Sequence, residues 1–204
     1  MIALLLIDIQ NDFCAGGTLA VPDGDAVVPV ANALCARYEL VVATRDWHPA
    51  SHLSFARNHP GRNPYELSEL DGLPQVLWPA HCVQGTPGAD FHPELDVSRV
   101  AQVFFKGTDE RIDSYSGFFD NGHRKATGLG DYLRQAGVTR VVVLGLATDY
   151  CVKWTALDAR QLGLDVQVVV DGCRGVGLNP ADVPEALLEL RAAGVRLVQS
   201  AELD

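Results

Sequence analysis

VVLGLATDYCV, residues 142–152, changes character halfway along. Its first part is a run of branched apolar residues, the composition of a strand covered on both faces. Gly145, Leu146 and Ala147 then make a tight turn, and from Thr148 the pattern takes a helical period up to residue 162. Cys151 falls in the first turn of that helix. A helix start presents unpaired N–H groups and the positive end of the helix dipole. That setting is expected to lower a thiol pKa and make the sulfur a nucleophile.

The same alternation runs outward in both directions. Short apolar runs predict strands at 3–7, 40–44, 101–105, 140–144, 165–170 and 195–198. Helical periods predict helices at 24–36, 128–136, 148–162 and 184–193, with Gly137, Gly163 and Gly194 placed as C-cap glycines. Alternating strands and helices imply a parallel sheet with helices on both faces, joined by right-handed crossovers. The 204 residues are read as one domain, 1–204, with a long irregular stretch at 46–98 rich in Pro, His, Gly and Asn. A loop region of that length in a compact domain is usually functional.

Composition narrows the class. The chain is 48% hydrophobic and 21% charged, as soluble globular proteins are, and its net charge of −10 disfavours nucleic acid and anionic membranes as partners. Five cysteines, an odd number with no C-x-x-C pair, argue against a disulfide framework and for a reducing, cytoplasmic setting. The apolar run in MIALLLIDIQNDF is too short for a signal peptide and lacks a basic n-region, and no stretch approaches bilayer length.

In parallel sheets, ligands bind beyond the carboxyl ends of the strands. There the sequence places Asp8 after the first predicted strand, Asp46 and His48 after the second, Lys106 after the third and Cys151 after the fourth. Each alone has an ordinary reading: a strand-end charge, a solvated lysine, a buried structural thiol. Together, Asp8 could act as base and Lys106 could stabilise a thiolate. The D-x-H pair could hold a metal ion, its third ligand drawn from His52, His59, His81, His92 or His123. His81, in WPAHC, is the leading choice and His52 the second. Two histidines and a carboxylate suit Zn²⁺, Fe²⁺ or Mn²⁺ without choosing among them. Phe13, Trp47, Trp78, Tyr115 and Tyr150 lie near these motifs and could sandwich a flat ring. Cys14, Cys35, Cys82 and Cys173 keep the structural reading.

The stretches DIQNDFCAGGTLAV, ATRDWHPASHLSF, WPAHCVQGTPGA, FFKGTD, DSYSGFFDN and GLATDYCVKWTALDA, in that order from Asp8 to Ala159, resemble the isochorismatase-like cysteine hydrolases, and within them the nicotinamidases. The resemblance implies a three-layer α/β/α sandwich, Rossmann-like, with a six-stranded mainly parallel sheet. It implies a catalytic triad of Asp8, Lys106 and Cys151, metal ligands Asp46, His48 and His81, and a cis peptide before Ala147. The Ala147 and Cys151 N–H groups would form the oxyanion hole. Phe13, Leu19, Trp78, Tyr115 and Tyr150 would line the ring pocket, and His52 remains an alternative ligand.

The implied activity is metal-dependent hydrolysis of nicotinamide, and of pyrazinamide, through a Cys thioester, in NAD salvage. Zinc is the leading metal, with iron or manganese as alternatives. The partner is a small molecule, not nucleic acid or membrane, and assembly as a homo-oligomer is left open. The rival readings are an amidase acting on a carbamoyl or ureido compound, an isochorismatase, whose chemistry does not need the cysteine, and a catalytically silent scaffold.

Overall fold

The computed structural model describes residues 1–203. In chain order the elements are β1 (Ile2–Ile7), α1 (Val27–Cys35), β2 (Leu40–Asp46), β3 (Leu67–Leu70), β4 (Leu73–Val76), β5 (Val100–Lys106), α2 (Leu129–Gln135), β6 (Arg140–Leu146), α3 (Lys153–Gln161), β7 (Asp165–Arg174), α4 (Asp182–Ala192) and β8 (Arg196–Val198). Six strands form one sheet in the order β5-β2-β1-β6-β7-β8, and every neighbouring pair is parallel. The expected α/β architecture is present, with helices flanking this sheet. Among the described residues, no helix is long and apolar enough to cross a membrane.

The order of strands explains where the chemistry sits. From β1 the chain steps outward through β2 to β5, then returns to β6 on the other side of β1 and steps the opposite way to β7 and β8. Right-handed crossovers in opposite directions put α1 on one face and α3 and α4 on the other. α1 packs on β7, β6 and β1, while α3 packs on β7 and α4 on β8. The reversal lies between β1 and β6, and a crevice opens beyond the carboxyl ends of two strands that diverge in this way. Asp8 and Cys151 follow those two strands.

The strands exist because they are covered on both sides. Ala3 to Ile7 are all essentially buried, as are Val141 to Leu144. Most predicted elements recur within a few residues, and Gly137, Gly163 and Gly194 have φ of 69°, 84° and 81°.

Three details differ from the sequence reading. The helix expected at 148–162 opens as a π-helical turn, Thr148–Val152, before α3 begins. β7 runs four residues past its expected end, to Arg174, across a register shift between Val143 and Gly145. The stretch 46–98 is not wholly irregular: β3 and β4 form an antiparallel hairpin whose turn is Asp71-Gly72, with φ of 49° and 83°. An Asp-Gly pair is a strong hairpin signal, but only four residues flank it on each side, too few for alternation to stand out.

Leu5 lies opposite both Val42 and Val143 at the centre of the sheet and is 1% exposed. Leu5→Ala should cost about 2–5 kcal/mol of unfolding free energy, measured by urea titration. A loss well under about 1 kcal/mol would mean that this strand is not the packed centre of the fold.

Candidate active site

Asp8, Lys106 and Cys151 arrive from three strand ends and meet. Lys106 Nζ donates to Asp46 Oδ1 at 2.6 Å, to the Ser114 carbonyl at 3.0 Å and to Cys151 Sγ at 3.3 Å. Asp8 Oδ2 lies 2.8 Å from the same nitrogen as a second ion pair. Asp8 Oδ1 is occupied by the Thr44 hydroxyl at 2.6 Å. Asp8 is therefore a carboxylate held between an ammonium group and a thiol. One atom each of Asp8, Asp46 and Cys151 lies within 4.8 Å of the others.

Burial governs the protonation of this group. It pushes the Cys151 thiol well above the usual thiol range, against the pull of Lys106. The expectation that the helix start would lower this pKa is thus corrected: loss of water around the buried sulfur is the largest influence on it and raises the pKa. The resting sulfur carries its proton. Burial likewise raises Asp8, with Lys106 pulling the other way. Asp46 behaves differently: burial would raise it, but Lys106 and His48 hold it well below the usual carboxylate range. Lys106 stays charged, because Asp46 and Asp8 outweigh the burial that opposes it.

Beside this cluster, Asp46, His48 and His81 offer one ligand atom each within 4.8 Å of one another, all three buried. The tautomers fit a metal. His48 Nδ1 lies 2.9 Å from the Gly107 carbonyl and His81 Nδ1 lies 2.8 Å from the Pro79 carbonyl. A carbonyl only accepts, so each Nδ1 carries a hydrogen and each Nε2 turns to Asp46 Oδ2, at 3.5 Å for His48 and 3.7 Å for His81. His48 Nε2 is buried with no hydrogen-bond partner, a state that a metal ion would relieve. Gly107 permits this arrangement: a Cβ there would stand 2.3 Å from the His48 ring.

His52 is placed otherwise. Its Nδ1 accepts the Ser54 N–H, so its Nε2 carries the hydrogen and donates to the Ile112 carbonyl at 3.3 Å. Both nitrogens are spent, and the ring packs against His48. His59, His92 and His123 bond to Leu53, Asp25 and Asp158. The cluster of Cys14, Asp25 and His92 fails the same tautomer test. His92 Nδ1 accepts the Glu94 N–H, which leaves Nε2 protonated and facing Asp25.

A cleft opens over the thiol. Phe13, Leu19, Trp78, Tyr115, Tyr150, Ala147 and Cys151 line it together with Asp46 and His81. Trp78 and Tyr115 each meet Tyr150 edge-on, at 4.9 and 5.4 Å between ring centres. Trp47 is the exception among the aromatics, since it packs on Phe105 and Arg45 instead. The Leu146–Ala147 peptide is cis.

Several buried polar residues that the sequence reading passed over strap these loops together. Asp12 accepts the Cys82 N–H at 2.7 Å and the Thr18 N–H at 3.2 Å, tying the Phe13 loop to the His81 loop. Asp149 accepts the N–H groups of Val176 and Gly177, and Val176 completes the cleft wall. Asp113, also in the wall, accepts from Gln75 of β4. Their signal, polar side chains one to four residues from the chemistry, is the same that any surface loop shows.

Known proteins share this plan. The family model of the Isochorismatase domain matches residues 2–202. The chain is 55% identical to the nicotinamidase of Escherichia coli (strain K12), covering 98% of this chain and 95% of that one. It superposes on the nicotinamidase/pyrazinamidase of Acinetobacter baumanii with a TM-score of 0.97 at 46% identity, over 100% and 98% of the two chains. The pyrazinamidase of Pyrococcus horikoshii in complex with zinc gives a TM-score of 0.80 at 38% identity, over 97% and 98%.

Lys106→Met would leave two buried carboxylates without their cation. Near neutral pH it should destabilise the metal-free protein by about 3–5 kcal/mol. The loss should shrink as pH falls, because the unpaired carboxylates then take up protons and shed their charge. Urea unfolding at several pH values reads both effects. A loss that does not change with pH would mean that the lysine is not their counter-ion.

Proposed function

The chain belongs to the isochorismatase domain family, and from that premise we propose that its cleft hydrolyses nicotinamide to nicotinate and ammonia through a thioester on Cys151. Whole-chain identity to a nicotinamidase supports an amide hydrolase acting on a small molecule. The observation that carries the mechanism is a buried carboxylate, Asp8, within 4.8 Å of a protonated, buried thiol.

Asp8 Oδ2 takes the thiol proton, and Lys106, already 3.3 Å from the sulfur, stabilises the thiolate. The sulfur adds to the carboxamide carbon. The N–H groups of Ala147 and Cys151, both residues of the cleft wall, are assigned to the resulting oxyanion. Asp8 returns its proton to the amide nitrogen, the C–N bond breaks and ammonia leaves. A water molecule, deprotonated by Asp8, then adds to the thioester, and the sulfur departs to regenerate the thiol with release of nicotinate. Phe13, Leu19, Trp78, Tyr115 and Tyr150 sandwich the ring and exclude bulk water, so the attack becomes effectively intramolecular.

A divalent ion held by Asp46, His48 and His81 would supply a Lewis-acid anchor for the ring nitrogen. Two imidazole nitrogens and a carboxylate suit zinc, and the zinc complex of the Pyrococcus horikoshii pyrazinamidase supports that choice over iron or manganese. The same ring recognition extends to pyrazinamide, and the reaction fits recycling of pyridine nucleotides. An amidase for carbamoyl or ureido compounds is disfavoured, because such substrates leave the aromatic walls and the histidine pair without a partner.

Cys151→Ala should lower ammonia release from nicotinamide by roughly three orders of magnitude or more while nicotinamide still binds, as calorimetry would show. Retained turnover would refute the covalent route. His48→Ala should deplete metal as measured by elemental analysis, and a strong chelator should suppress wild-type ammonia release. Unchanged metal content in the variant would remove His48 from the ligand set.

A further inference from the structure

Gln10 is fully buried and lies outside the cleft wall, yet it spends its whole side chain on one residue of the metal trio and that residue's neighbourhood. Its Oε1 accepts the Asp46 N–H at 2.8 Å, and its Nε2 donates to the Asp46 carbonyl and to the Ala89 carbonyl, each at 2.9 Å. The side-chain amide thus pairs with Asp46 as a neighbouring strand would. The need for it is visible in the ladder. Pairing of β1 with β2 ends at Leu6 opposite Ala43, and the chain turns aside at Asp8, where φ is 46°. Asp46, the last residue of β2, is left with Lys106 of β5 on one side and no strand on the other. Gln10 fills that side.

We propose that Gln10 is the positioning residue for the metal site: it locks the Asp46 backbone so that the carboxylate faces His48 and His81, and it fixes that ligand relative to Asp8 two residues away. The inference rests on the reading of Asp46, His48 and His81 as ligands. It assigns Gln10 no contact with substrate and no proton.

The test is zinc affinity, measured by competition with a chromophoric chelator, in the wild type and in Gln10→Leu, Gln10→Glu and His48→Ala. Far-UV circular dichroism and the thermal midpoint of each metal-free protein run alongside. Gln10→Leu removes all three hydrogen bonds at similar size. Gln10→Glu keeps the shape and sets an oxygen against the Asp46 carbonyl, so the result does not depend on one variant folding. Each Gln10 variant should bind zinc about 10–100-fold more weakly than the wild type while the metal-free protein keeps its secondary structure. A merely structural glutamine would lower the thermal midpoint and leave the affinity of the folded protein unchanged. Zinc affinity within twofold of wild type in a folded Gln10 variant, with His48→Ala depleted, overturns the proposal and leaves the ligand set standing. If His48→Ala also keeps its zinc, the ligand set falls and the proposal with it.

Discussion

A single ammonium group, that of Lys106, is shared by everything that matters at this end of the sheet. It lies fully buried between the Asp8 and Asp46 carboxylates and touches the Cys151 sulfur. Taking three charged groups out of water is costly, and the cost is offset only when geometry is close and hydrogen bonds are complete. Here the ammonium donates to Asp46, Ser114 and Cys151 and forms an ion pair with Asp8 at 2.8 Å. The two carboxylates nonetheless differ. Asp46 is held ionised and faces two imidazoles, whereas Asp8 is raised by burial and lies beside the thiol.

The fold delivers these groups by topology. Strand order reverses between β1 and β6, and the loops after those two strands carry Asp8 and Cys151. β2 and β5 end level with each other, Asp46 opposite Lys106, so a lysine and a metal-type carboxylate become neighbours through the ladder itself. Beyond the strand ends no ladder remains to hold the loops, and side chains take over. Asp12, Asp149 and Gln10 each bond to peptide groups of a neighbouring strand end or loop. Rigid spacing around a buried charge cluster comes from such straps, because displacement of one partner would leave a bare charge in a dry site.

The parallel sheet and its helices were legible because strands buried on both faces leave long apolar runs. Asp8, Lys106 and Cys151 stood out because each breaks such a run at its end. His81 was harder: nothing in its spacing from His48 separates it from His52. In the structure the rings differ, since His81 and His48 each anchor Nδ1 on a carbonyl while His52 spends both nitrogens elsewhere. Sequence carries no record of which nitrogen holds the hydrogen. The thiol pKa was misjudged for a related reason. Position at a helix start is local and readable, but burial of Cys151 among Lys106, Asp8 and the cleft aromatics is a property of the assembled fold. The β3–β4 hairpin was missed because its Asp-Gly turn has only four residues on either side.

The proposed reaction turns on attack by the Cys151 sulfur on a carbonyl carbon held in the cleft. The most direct measurement uses pyridine-3-carbaldehyde labelled with ¹³C at the carbonyl, which can add a thiol but has no amine to lose. With the wild-type protein the carbon resonance should move from the aldehyde region to that of a tetrahedral thiohemiacetal, and with Cys151→Ser no sulfur-bound signal should form. A carbonyl resonance that stays trigonal or merely hydrated in the metal-loaded wild type, or an identical sulfur adduct in the serine variant, would contradict the account.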